Sequence, residues 1–201
     1  MSNYPAKMAV ISADFVIVEG DQHSACPQTV VYLYAFAILK VERMGRGFKF
    51  EEIRLVDETG NGSVRLFNAL AAELDADTSL AGYRLDRLID AMVRVPCGDV
   101  QEAECKPALL RLQASLGNEV HDANWYCHDR HRSLADLARD YDLPAEWDRQ
   151  SREVNANVLE RKLSAKGQTV WLAIAHEWLT TDELRRATAD YDQWRTANAI
   201  V

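Results

Sequence analysis

Residues Met8 to Val18 are mostly Val, Ile, Phe and Ala, with little polar alternation. A strand with one wet face alternates, so a continuous apolar run predicts a strand covered on both faces and central in its sheet. After a polar loop, Asp21 to Gln28, the stretch Thr29 to Val41 is dense in β-branched and aromatic residues and reads as a second, prominent strand. Met44, Gly45, Arg46 and Gly47 form a turn, and Phe48 to Val56 reads as a third strand whose alternation at Phe48, Phe50, Ile53 and Leu55 is only partly kept. Two short connections predict an antiparallel meander.

Beyond a second turn at Asp57 to Gly62 the period changes from two to 3.6. Val64, Leu66, Phe67, Leu70, Ala71 and Leu74 recur at helical spacing, and Leu80 to Val95 reads as another helix, ended by Pro96 and Gly98. Ala108 to Leu116 predicts a third helix, stopped by Gly117, and Val120 to Cys127 a short strand. Ser133, with Asp136 three residues on, opens a helix that Leu143 and Pro144 close. Val154 to Leu179 predicts one long or broken helix with Gly167 as its weak point, since glycine costs about 1 kcal/mol relative to alanine inside a helix. Thr180 and Glu183 form the capping box of a last helix carrying Leu184, Ala187, Tyr191 and Trp194.

Composition narrows the picture. The chain has 201 residues, 48% of them hydrophobic and 27% charged, which suits one globular domain. A net charge of -8 opposes non-specific adhesion to a phosphate backbone, so any nucleic-acid contact has to be local. Arg130, Arg132, Arg149, Arg152, Arg161, Lys162 and Lys166 form the one local basic excess and are the place to look for a phosphate groove. Cys26, Cys97, Cys105 and Cys127 are scattered without a CxxC pair, as expected for reduced thiols in a cytoplasmic protein. The expectation is no secretory leader and no membrane span.

Chemistry enters at the end of the first predicted strand, in Val16, Ile17, Val18, Glu19, Gly20, Asp21, Gln22. Two acids two residues apart on a strand point to one face, so Glu19 and Asp21 could share a divalent cation; equally, they could simply begin a solvated loop. A second acidic stretch is Leu80, Ala81, Gly82, Tyr83, Arg84, Leu85, Asp86, Arg87, with Asp90 one turn on. A third stretch, His128 to Arg139, leads through Ser133 and Leu134 into a helix. Near the chain end Glu160 has Asn155 five residues and Ala156 four residues before it.

These stretches, in this order, resemble the DEDD-type 3'-5' exonucleases of the ribonuclease H-like fold, over roughly residues 9 to 180. The resemblance implies one α/β domain over residues 1–201, with a mixed sheet that starts with an antiparallel three-strand meander, flanking helices and a helical C-terminal half. It implies Glu19, Asp21, Asp86 and Glu160 as catalytic metal ligands, Mg²⁺ or Mn²⁺ as the ion, and the 3' end of a single-stranded nucleic acid as substrate. Departures from the pattern are specific. The first acid pair is reversed, Arg84 stands where the family has Asn, and neither His nor Tyr precedes Glu160 as a general base. If the register of that last motif is set by Ala165, Thr169 and Leu172, the fourth acid falls on Ala165 or Ser164 and is lost.

A catalytically dead module of the same fold, binding nucleic acid or a protein partner, is therefore the alternative. A third reading is a small-molecule α/β enzyme, which requires a deep apolar pocket. His121, Cys127, His128 and His131 crowd together but match no common zinc spacing. Trp125, Trp147, Trp171, Trp178 and Trp194 are expected as core or interface anchors.

Overall fold

A computed structural model describes residues 4–18, 30–56, 72–74, 77–85, 120–125, 133–143 and 156–198 of the 201. Among the described residues five strands run in chain order: β1 (Lys7–Val18), β2 (Val30–Met44), β3 (Gly47–Val56), β4 (Ser79–Gly82) and β5 (Val120–Asp122). A single 3-10 turn, Ala123–Trp125, leads away from β5. Among the described residues three helices follow: α1 (Leu134–Asp140), α2 (Ala156–Trp178) and α3 (Thr181–Ala197).

The strands lie in the order β3-β2-β1-β4-β5. β1 pairs antiparallel with β2, and β2 with β3, which is the expected meander. The β2–β3 turn is tight, and Gly45 takes its positive φ of 63° without the steric cost a side chain would bring. β1 then pairs parallel with β4, and β4 with β5. The sheet is mixed and helix-flanked, and β1 is its middle strand, in keeping with its largely apolar run.

Register assigns the faces. Met8, Val10 and Ser12 on β1, Ala35, Ala37, Leu39 and Val41 on β2, and Phe48, Phe50, Glu52 and Arg54 on β3 share one side. There α2 packs with Val170, Trp171 and Ile174, and α3 with Ala187 and Tyr191, all buried. Phe50 sits at the centre of this layer, edge-on to Trp171 at 5.0 Å and to Tyr191 at 5.2 Å. Ala9, Ile11, Phe36, Ile38 and Leu80 point to the other side and are equally buried.

Both capping boxes form. Ser133 and Asp136 close the first turn of α1, and Thr180 and Glu183 that of α3, each side chain bonded to the other's backbone N–H. Trp171 is fully buried, while Trp178 and Trp194 pack at the margin of the core.

Several expectations change. The helix expected over Leu80 to Val95 does not start at Leu80, because Ser79–Gly82 is β4, and from residue 86 on it lies outside the described residues; the four side chains of β4 are all buried, so no alternation marks it as a strand. The strand near Val120 to Cys127 keeps only three residues. α1 ends at Asp140 with a Tyr141 cap, ahead of Leu143 and Pro144. α2 is continuous through Gly167, which faces the sheet: a Cβ there would lie 3.6 Å from Ser12 Oγ and 3.8 Å from Leu39 Cβ, ordinary contact distances. The turn at Asp57 to Gly62, the helix at Ala108 to Leu116 and all but the last residues of the helix at Val64 to Leu74 lie outside the described residues. Among the described residues no helix is long and apolar enough to cross a membrane.

Candidate functional site

Of the four acids expected to hold metal, Glu19, Asp21 and Asp86 lie outside the described residues. Glu160, on the second turn of α2, is described, and Arg54 Nη1 on β3 donates to its Oε2 at 3.4 Å.

Around that ion pair the inner face of the sheet changes character. β1 runs from Met8 and Val10 to Ser12 and Asp14, and β3 from Phe48 and Phe50 to Glu52 and Arg54, so both strands turn polar in the same direction across the sheet. α2 matches them in reverse, with Glu160, Ser164 and Lys166 before Val170, Trp171 and Ile174. A helix whose polar and apolar halves oppose those of the sheet is held in register along its length.

The polar half is closely bonded. Ser12 Oγ donates to the Leu163 carbonyl at 2.8 Å. Arg54 Nε donates to Glu52 Oε2 at 2.6 Å, and the Glu52 side chain is only 3% exposed. The Ser164 hydroxyl lies 2.9 Å from Glu52 Oε2 and 3.0 Å from the Glu160 carbonyl, and its single proton serves one of them at a time. Lys166 Nζ stands 3.8 Å from Asp14 Oδ1 and donates to the Ala13 carbonyl at 3.4 Å. Burial pulls the Lys166 ammonium below its ordinary pKa, the Asp14 carboxylate opposes that, and neighbouring Lys162 adds to it.

Asp14 is an acid that sequence reasoning passed over. Its signal was present, as a charge inside a run otherwise covered on both faces. Register gives it weight. β4 pairs with β1 only at Met8 to Val10, so its last residue, Gly82, lies beside Ile11. Asp14 is three residues further along β1, about 10 Å at the rise of a strand, whereas Val18, the residue before Glu19, is roughly 23 Å along. Glu52 and Arg54 were likewise missed; they occupy the inward positions where alternation from Phe48 and Phe50 would place apolar residues.

The ends of β4 and β5 form a second polar feature. Asp122, 3% exposed, accepts from the backbone N–H of Arg84 at 2.9 Å, Leu85 at 2.8 Å and Asn124 at 2.9 Å. Its carboxylate thus shapes the turn after β4, in which Arg84 adopts a positive φ of 50°. The Arg84 guanidinium lies over the Tyr83 ring, 5.4 Å from its centroid. His121 is buried edge-on to Trp178, while Cys127, His128 and His131 lie outside the described residues.

Among the described residues no three His, Cys, Asp or Glu side chains converge as a metal site would need. The described donors near Asp14 do not suit a divalent ion, because Lys166 stands beside Asp14, and Arg54 bridges Glu52 and Glu160. On the opposite sheet face a half-open cleft of about 220 Å³ is lined by Lys7, Lys40, Lys49, Glu42, Glu51 and Glu73. Lys40 is paired with Glu73 at 3.0 Å, and Lys7 with Asp77 at 2.8 Å. Met8, Val41 and Phe50 also line it, so the cleft mixes paired charges with apolar residues.

No family model, curated protein or solved structure matches this chain.

Proposed function

We propose that this chain is a non-cleaving module of the ribonuclease H-like exonuclease fold, which holds the 3' end of a single-stranded nucleic acid where β1, β3 and the first half of α2 meet. The reading of the fold rests on the meander that opens the mixed sheet and on the helical C-terminal half. The reading of the function is supported by one observation: Lys166 stands against Asp14 and Arg54 against Glu160, so fixed cations neutralise both of these acids.

A module of this kind needs no hydroxide and no general base, in keeping with the lack of His or Tyr ahead of Glu160. It needs cations that a phosphate can reach. Arg161 is exposed and Lys162 partly so, side by side on α2 next to the Lys166 turn. In a chain of net charge -8 this local patch is the favoured contact. Hydrolysis by Mg²⁺ or Mn²⁺ held on Glu19, Asp21, Asp86 and Glu160 is the competing outcome.

The test uses 5'-labelled single-stranded DNA and RNA oligonucleotides with Mn²⁺ present. Salt-sensitive binding by fluorescence anisotropy, with every strand left at full length, is expected. Lys162→Glu should weaken that binding and reduce its salt slope by roughly one. A ladder of shortened products that Asp21→Asn abolishes overturns the non-cleaving reading. Absence of binding to both nucleic acids overturns the nucleic-acid reading.

A further inference from the structure

Lys166 differs from the other described lysines that stand beside an acid. Lys7 and Lys40 give their ammonium groups to Asp77 and Glu73 at 2.8 and 3.0 Å. Lys166 Nζ stands 3.8 Å from Asp14 Oδ1, beyond hydrogen-bond length, and donates only at 3.4 Å to the Ala13 carbonyl. Its side chain is also the most covered of the three, 18% exposed against 41% for Lys7 and 29% for Lys40. Burial favours the neutral amine, Asp14 opposes that, and Lys162, one turn back on α2, adds to it.

A covered lysine beside a second cation is a recurring way of turning an ammonium into a nucleophile. The neighbourhood supplies the remaining parts. Asp14 is half-covered and within reach of Nζ as a proton carrier. The β1–β2 ladder shifts register directly after it, with Asp14 opposite Ala35 but Phe15 opposite Leu33, and such bulges re-aim side chains and gather beside functional sites. Arg161 and Lys162 are open to solvent on the same turn of α2 and can hold phosphates on either side of a sugar.

The electrophile follows from the chemistry of a nucleic-acid strand. An amine leaves a phosphodiester intact, and a sugar that keeps its base has no carbonyl to attack. A 2-deoxyribose that has lost its base opens to an aldehyde at C1'. We propose, resting on the nucleic-acid reading above, that Lys166 captures such an abasic sugar of a bound single strand as an imine. The ammonium first gives one proton to solvent. The Nζ lone pair then forms the C–N bond at C1' while the carbonyl pair moves to oxygen. Asp14 carries the two nitrogen protons in turn to that oxygen, which leaves as water as the C=N bond closes. Amine and aldehyde become imine and water, with no oxidant or reductant consumed.

Reductive trapping tests the capture. A 5'-labelled single-stranded DNA with one abasic site, incubated with the full chain and sodium cyanoborohydride, should give a covalent protein–DNA band on a denaturing gel. The reagent delivers hydride to the imine carbon and leaves a stable secondary amine. Peptide mass mapping of the wild-type band should place the adduct on Lys166. Counted per strand bound by fluorescence anisotropy, trapping should fall roughly tenfold in Lys166→Arg, which keeps the charge without the nucleophile, and stay at the wild-type level in Lys49→Arg. An adduct spread over exposed lysines such as Lys49, or undiminished in Lys166→Arg, overturns the capture, and so does a strand that binds without being trapped. A chain that binds no strand at all overturns the nucleic-acid reading, and the capture with it. Should Lys166→Arg fail to fold, mapping of the wild-type adduct still decides.

Discussion

Arg54 on β3 and Glu160 on α2, 106 residues apart in the chain, form an ion pair at 3.4 Å, while the same guanidinium holds the covered Glu52 carboxylate at 2.6 Å. The two contacts differ in worth. Glu160 is 35% exposed, so Glu160→Gln should cost at most about 1 kcal/mol. Arg54→Met leaves the Glu52 carboxylate buried without its cation and should cost roughly 2 to 3 kcal/mol, below the range for a fully buried pair because Arg54 is 24% exposed. Glu52→Gln combined with Arg54→Met should recover part of that loss. Urea denaturation of the four proteins measures each value, and an equal cost for Glu160→Gln and Arg54→Met contradicts the account.

Asp122 anchors the turn after β4 through three backbone N–H groups. Asp122→Ala strands those donors and should cost about 2 to 4 kcal/mol. Asp122→Asn keeps one acceptor oxygen and should cost less. Hydrogen exchange at Arg84, Leu85 and Asn124 should accelerate in both variants, most in Asp122→Ala; unchanged protection at these amides argues against the anchoring role.

Gly167 lies where α2 faces β1 and β2, and a Cβ there would find ordinary van der Waals distances of 3.6 and 3.8 Å. Gly167→Ala should therefore gain helix propensity without a clash and raise stability by about 0.5 to 1 kcal/mol, a few degrees in Tm. Gly167→Leu should lower it. Differential scanning calorimetry of both variants checks the two signs.

Alkali should weaken the core. Burial pushes the Tyr4 and Tyr191 hydroxyls above their ordinary value of 10.0, with the Glu52 carboxylate adding to the effect at Tyr191. The unfolded chain releases these two protons near 10.0 while the folded chain retains them. The stability they contribute is therefore complete below that pH and is lost as pH rises beyond it. Lys166 has the opposite sign: its lowered pKa makes the folded state shed a proton first, so its contribution grows as pH rises toward 10.5. Tyr4→Phe with Tyr191→Phe should flatten the alkaline decline in a series of urea midpoints, and Lys166→Met should steepen it. A double tyrosine variant that declines as steeply as the parent contradicts the assignment.

Much of the fold is written in short-range pattern. The meander follows from a largely apolar run, a β-branched run and a Met-Gly-Arg-Gly turn, each legible within a dozen residues, and the boxes at Ser133 and Thr180 mark helix starts within four. β4 escaped because a four-residue strand buried throughout has no period to display, and only its pairing with β1 and β5 makes it a strand. Gly167 read as the weak point of a long or broken helix because propensity weighs a residue alone, while the packing of α2 along β1 and β2 keeps the helix continuous through it.

What the chain determined by itself is where it changes period and where its helices begin, since those depend on neighbours in sequence. Tertiary structure alone decided that Asp14 meets Lys166 and that Glu160 meets Arg54. Such partners are chosen by the register in which α2 lies across β1 and β3, and a side chain in sequence carries its charge without carrying the distance to the charge that will answer it.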